Sequence, residues 1–169
     1  MDTNKGKQVS IFENNILRGI EKDIISVLDD NAKITYHCSR EYTTSFKNPE
    51  EKVRASYFTE LVLDYNYSQE KIDIEVPVPR RIPKDRADIV VYEDEEFKKP
   101  YLIVECKRDG ITDAEFKQAT EQVFGYCQQF CVNFFSAICL KKCRLSFTFP
   151  TGAVLHANSI FNDINANSL

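Results

Sequence analysis

No stretch of this 169-residue chain stays apolar for the roughly 20 residues that a membrane-spanning helix needs. The polar start, Met1 to Gln8, also lacks the apolar core of a signal peptide. An intracellular, cytoplasmic protein with no membrane partner is expected. Nothing matches Gly-x-x-x-x-Gly-Lys-Ser/Thr, the loop that cradles nucleotide phosphates, so the chain is not expected to work as an ATP-driven motor. Internal repeats, low-complexity runs and Gly/Pro/Ser-rich linkers are missing too, which points to one domain over residues 1–169. A surplus of positive charge is also lacking. The formal net charge is −4 and the pI about 5.3, unlike a protein that coats nucleic acid. Tight Cys-x-x-Cys pairs are absent: Cys127 and Cys131 are four apart, as are Cys139 and Cys143, with Cys38 and Cys106 elsewhere. That spacing suits reduced, buried thiols, and no iron–sulfur cluster is expected. His37 and His156 are isolated in sequence, which argues against a zinc site.

The richest stretch runs from Arg86 to Lys107. Arg86-Ala87-Asp88-Ile89-Val90-Val91-Tyr92 and Tyr101-Leu102-Ile103-Val104-Glu105-Cys106-Lys107 read as two apolar strands, each with acidic chemistry near one end. Alternation in the second puts Glu105 and Lys107 on one face and Val104 and Cys106 on the other. Charges beside so apolar a run are costly unless something pairs with them. Asp88 lies 17 residues before Glu105, close enough for neighbouring strands to bring both carboxylates to one divalent ion. Mg²⁺ takes oxygen ligands and keeps several waters, so Asp88 and Glu105 suit it, with Mn²⁺ as a substitute. Lys107 would orient or activate the attacking water and offset phosphate charge.

The remaining elements frame that pair. Ser10-Ile11-Phe12-Glu13 has the pattern of a capping box, and Phe12, Ile16, Ile20, Ile24 and Leu28 form a helical stripe, so a helix is expected over residues 10–30. A polar segment containing Ile34 and Tyr36 then leads to a helix capped by Asn48 with Pro49 at its first position, ending near Tyr65. Ile72 to Val78 alternates like a strand and should form a hairpin with the Asp88 strand across a basic turn, Arg80 to Lys84. Thr112-Asp113-Ala114-Glu115 is a second capping box, starting a helix near Asp113 that runs to about Phe130 and carries Gln122 and Tyr126 on one face. Phe134 to Leu140 and Leu145 to Phe149 read as two further strands. The expected fold is α/β, an α+β mixed sheet flanked by helices.

Asn48-Pro49-Glu50-Glu51-Lys52-Val53-Arg54, Ile74-Glu75-Val76, Arg86 to Tyr92, Ile103-Val104-Glu105-Cys106-Lys107-Arg108 and Gln122-x-x-x-Tyr126 resemble, in order, the N-terminal nuclease domain of type I restriction enzyme R subunits. Asp88 followed by Glu105-x-Lys107 resembles the PD-(D/E)xK nuclease core, with Ala87 where the motif's name has proline. The resemblance implies a restriction-endonuclease-like core over about residues 48–150, in which Asp88 and Glu105 bind metal, Lys107 is catalytic, and Gln122 and Tyr126 lie beside the site. It favours Glu51 as a third carboxylate, with Glu60 as the competitor. Some nucleases with these motifs hold an iron–sulfur cluster, but the cysteine spacing here departs from theirs. Type I R subunits also carry a translocase that this chain lacks, so it is expected to be either the N-terminal piece of a longer R-like subunit or a stand-alone relative. The Asn-Gly turn usual in the family is absent at Leu140-Lys141-Lys142-Cys143.

Despite the acidic balance, Arg80, Arg81, Lys84 and Arg86 precede Asp88, and Arg108 follows Lys107, giving a basic rim suited to a few DNA phosphates. Lys141, Lys142 and Arg144 read as solubilising turn residues. The expected function is a Mg²⁺-dependent DNA endonuclease domain, with DNA and the translocase, methylation and specificity subunits of a restriction system as partners. A catalytically inactive DNA- or protein-binding module with the same fold is the alternative, and an RNA or branched-DNA nuclease would share the site.

Overall fold

In the computed structural model, which describes residues 11–79, 84–108 and 110–130 and the backbone of 134–139, 142–148 and 154–157, each of three α-helices is followed by three strands. The order is α1 (Ile11–Glu21), β1 (Ile25–Leu28), β2 (Lys33–Tyr36), β3 (Tyr42–Ser45), α2 (Pro49–Leu63), β4 (Ile72–Pro77), β5 (Arg86–Tyr92), β6 (Pro100–Lys107), α3 (Asp113–Phe130), β7 (Phe134–Cys139), β8 (Lys142–Thr148) and β9 (Val154–Ala157). Strands β1, β2 and β3 form a small antiparallel sheet, and β4 to β9 form a six-stranded sheet in sequential order. All neighbours in the larger sheet are antiparallel except β6 and β7, which run parallel with α3 between them. This is the mixed sheet flanked by helices that the periodicity predicts.

The N-terminal region departs from its pattern. The helix expected to reach Asp30 stops at Glu21, because Asp23 adopts φ +55 and closes a Schellman-type cap. The Ile24 amide donates to Gly19 O at 2.9 Å and the Asp23 amide to Ile20 O at 3.1 Å. Glycine usually holds this position; aspartate also tolerates it, so the stop leaves little trace in the sequence. Ile25, Ser26, Val27 and Leu28 instead form β1, with Ile24 just before it, and Ile34 and Tyr36 lie in β2 rather than in a polar connection. Three consecutive left-handed residues, Asp29, Asp30 and Asn31, turn the chain between them. Strand β8 starts at Lys142, three residues before the expected Leu145, and β9 lies where no strand is expected. Ser10, Leu140 and Phe149 fall outside the described residues.

Helix α2 is capped as predicted: Asn48 Oδ1 accepts the Glu50 amide at 3.0 Å. It is buried on nearly every side, as a central helix must be when α1 and the small sheet cover one flank and the large sheet the other. One core joins α2, the small sheet and Ile72, Ile74, Ile89, Val91, Leu102 and Val104 of the large sheet. A second lies beneath α3, from Phe116, Val123, Tyr126 and Cys127 to Val90 and Ile103. Among the described residues, no helix is long and apolar enough to cross a membrane.

Helices α1 and α2 meet at Gly19. A Cβ there would lie 2.3 Å from Thr59 Oγ1 and 3.0 Å from Ile25 Cγ1. Thr59 is fully buried and its hydroxyl donates to Ala55 O at 3.0 Å, so it has nowhere to retreat. Gly19→Ala should therefore cost about 1–3 kcal/mol in urea unfolding, the usual penalty of overpacking. Combining it with Thr59→Ala should cost less than the sum of the two single changes.

Candidate active site

The site forms where β4 and β5 turn over. Residues 74 and 76 of an even strand would share a face. Here Ile74 joins the α2-side core while Val76 joins the α3-side core, and on β5 Ile89 and Ala87 divide in the same way. Between them Glu75 takes φ +55, a conformation few residues other than glycine adopt. The antiparallel register is continuous from Ile74–Ile89 to Val76–Ala87, but Glu75 and Asp88 drop out of it. Asp88 thus stands at a step in the sheet.

Its carboxylate is held from two sides. The β5–β6 ladder ends at Ile89–Val104, and beyond it the Cys106 amide donates to Asp88 Oδ2 at 2.6 Å instead of to a backbone carbonyl. Arg54 Nη2, from α2, donates to Asp88 Oδ1. The same nitrogen lies 2.6 Å from Glu75 Oε1, and Arg54 Nη1 lies 3.2 Å from Glu51 Oε2. The Tyr36 hydroxyl donates to Glu51 Oε1 at 2.5 Å. Burial works against the Arg54 charge, but Asp88 and Glu51 outweigh it and raise the guanidinium pKa. Burial likewise raises the Glu51 pKa, with Arg54 and Tyr36 opposing it.

Glu105 and Lys107 share a face of β6, as the alternation predicts. Lys107 Nζ donates to Glu105 Oε1 at 2.6 Å, while Glu105 Oε2 is buried with no hydrogen-bond partner. Burial, then the nearby Asp88 charge, push the Glu105 pKa from 4.5 up to about 8, and Lys107 offsets only part of this. Burial disfavours the Lys107 ammonium, but Glu105 and Asp88 more than compensate and raise its pKa.

Helix α3 covers this face. Its capping box forms as predicted, with the Glu115 amide 3.2 Å from Thr112 Oγ1 and the Thr112 amide 2.7 Å from Glu115 Oε2. Gln122 Nε2 donates to the Tyr126 hydroxyl, and the Tyr126 ring packs in the core with Phe116 and Val123. Burial raises the Tyr126 pKa, and the Asp85 and Glu105 carboxylates add to it.

The structure therefore brings Asp88, Glu105 and Lys107 together, links Glu51 to them through Arg54, and sets Tyr126 within the field of Glu105. Glu60 lies elsewhere: it accepts the Tyr65 hydroxyl at 2.9 Å and neighbours Asp64 and Arg18 near the end of α2. Spacing alone does not single out Glu75 or Tyr36, and it shows Arg54 only as a partner of Glu51. Lys84, Arg86 and Arg108 are exposed, and Arg86 Nη1 donates to Glu75 O at 2.5 Å. Arg80, Arg81 and Lys141 lie outside the described residues, as do the side chains of Lys142, Arg144, Cys131, Cys139, Cys143 and His156. Cys106 and Cys127 are buried, whereas Cys38 is only partly buried. His37, isolated in sequence, is braced within the small sheet by Ser26 Oγ at 2.7 Å and Glu41 Oε2 at 3.4 Å.

A family model described as the type I restriction enzyme R protein N terminus matches residues 49–138, more than half of the chain. The chain belongs to this family. The match contains Glu51, Arg54, Glu75, Asp88, Glu105, Lys107, Gln122 and Tyr126, and its role is restriction-related and nuclease-like. A search of curated proteins finds no match.

A divalent cation implied by such a family can be tested against these residues. Among the described residues, no group of three or more His, Cys, Asp or Glu side chains is gathered as a ready-made metal cluster. Two carboxylates still suit Mg²⁺, which completes its shell with waters and substrate oxygens. Glu105 supplies the stronger argument. Its partnerless Oε2 and upward-shifted pKa mark a place where added positive charge is missing. The residues fit the ion.

A raised carboxyl pKa means that the folded state holds a proton the unfolded state has lost. Without added metal, the Glu105 contribution to stability should therefore be fully present below about pH 4.5, be lost as pH rises from there to about 8, and stay constant above. Glu105→Gln should flatten that decline in melting temperature recorded between pH 5 and 8.5 in chelator; a slope identical to that of the unsubstituted protein would show that Glu105 does not produce it.

Proposed function

We propose that this chain is a Mg²⁺-dependent endonuclease domain that hydrolyses DNA phosphodiester bonds, with Mn²⁺ able to substitute. The observation that carries the reading is the buried, partnerless oxygen of Glu105 beside Asp88, with an ammonium on the same strand face. Asp88 and Glu105 would hold the ion, and Glu51 contributes to their field through Arg54. When bound, the ion supplies Lewis-acid polarisation of the phosphodiester and charge for the departing oxygen.

The protein's own groups do the rest. Lys107, steadied by Glu105, would orient the attacking water, whose proton leaves to solvent, and donate to a phosphate oxygen, where charge builds in the transition state. Gln122 and Tyr126 close the site from α3 and keep the hydroxyl from swinging away. Exposed Lys84, Arg86 and Arg108 offer phosphate contacts that carry no sequence information. With a net charge of −4, affinity for DNA should be weak and salt-sensitive. Target choice then falls to companion translocase, methylation and specificity subunits.

One observation favours a second reading, a silent DNA- or protein-binding module. The Arg54–Asp88 and Lys107–Glu105 pairs already compensate much of the site's charge without a metal. Plasmid nicking separates the two. The nuclease reading expects nicking with Mg²⁺ or Mn²⁺, a loss of at least about 100-fold in Asp88→Ala and Lys107→Ala with the fold intact by circular dichroism even where the melting temperature falls, and an upward melting shift of the unsubstituted protein on adding Mn²⁺. Full activity in either variant would overturn the residue assignment. Neither nicking nor a melting shift in the unsubstituted protein would leave the binding module.

A further inference from the structure

We propose that Arg54 is a positioning residue for the Asp88 carboxylate, and that Glu75, in its left-handed backbone conformation, is the anchor that aims it. The inference rests on the nuclease reading above and adds two residues to its machinery.

Three elements meet at one guanidinium: Arg54 comes from α2, Glu75 from β4 and Asp88 from β5. Only 8% of the Arg54 side chain is exposed. Its Nε is buried with no hydrogen-bond partner, so carboxylates at the two terminal nitrogens set its orientation. A guanidinium serving only to fill the interior would be expected to satisfy its whole edge. This one leaves one N–H unused while both ends of its fork converge on the cluster. Glu51 fixes one end at 3.2 Å and is itself held by Tyr36, whose ring stands edge-on to Phe58 at 5.2 Å. Glu75 fixes the other at 2.6 Å.

Glu75 holds that position at the expense of an unfavourable backbone, φ +55 within a strand. An ordinary strand conformation would return it to the Asp88 register and turn its side chain elsewhere. Strain of this kind persists only where its surroundings impose it, and it gathers at functional sites. Arg86 adds a constraint through its bond to Glu75 O at 2.5 Å. With the Cys106 amide on one oxygen and Arg54 on the other, the Asp88 carboxylate cannot rotate, yet each oxygen keeps a lone pair for another ligand.

Two variants keep every charge and alter only reach. Arg54→Lys loses the planar fork. Glu75→Asp tolerates positive φ but is one methylene too short to hold Arg54. Calorimetric titration of the folded 169-residue chain with Mn²⁺ should show binding weakened about 10-fold or more in both, the range seen when groups that orient metal ligands are lost. Because net charge is unchanged, that loss reports orientation. Mn²⁺ affinities within about twofold of the unsubstituted protein in both variants would overturn the inference, even if their melting temperatures fall, since a purely structural role leaves affinity intact. If Arg54→Lys does not fold, Glu75→Asp decides alone. Failure of the unsubstituted protein to bind Mn²⁺ overturns the nuclease reading and this inference together; normal binding by all three overturns only the inference.

Discussion

Three carboxylates, Glu51, Glu75 and Asp88, share this interior because Arg54 lies among them. Like charges this close and this dry repel strongly, and each would otherwise take up a proton or turn to solvent. The guanidinium suits the task because it stays charged when buried and its fork meets several oxygens at once. Removing one partner from such a network leaves another charge buried without compensation. The step in the sheet, helix α2 and the Asp88 carboxylate all meet at that single side chain.

The route by which Arg54 arrives is local. Asn48 caps α2 and Pro49 fixes its first turn, so Glu51 and Arg54, three residues apart, project from one side toward the sheet. The cap therefore sets the direction of a charge two turns on. Tyr36, which steadies Glu51, comes from the small sheet. That sheet lies outside the matched region of the family yet touches the site through one hydroxyl.

Much of this was legible before any coordinates. Strands β4, β5 and β6 follow from alternation, α2 and α3 from their caps, and Glu105 with Lys107 from a period of two that survives in the fold. What failed to show is instructive. The spacing Phe12, Ile16, Ile20, Ile24, Leu28 continues across a helix stop, because isoleucines serve a strand as well as a helix and Asp23 stands where glycine would have announced the end. The small sheet was hidden for the same reason. Glu75 looks like any outward residue of an alternating strand. Its role comes from a backbone turn-over that no spacing encodes, and from an arginine that meets it only after α2 packs on the sheet.

The two halves of the site differ in how far apart their parts lie along the chain. Glu105, Lys107, Gln122 and Tyr126 all belong to one uninterrupted run, β6 followed by α3, and β7 returns to pair beside β6. Closing that unit requires only short loops, so its entropy of ordering is small and its geometry is largely self-contained. Asp88 is different, since its setting needs residues from 36 to 106 to be in place at once. The Glu105–Lys107 half is thus a local module, whereas the Asp88 half is complete only when β2, α2, β4, β5 and β6 have come together.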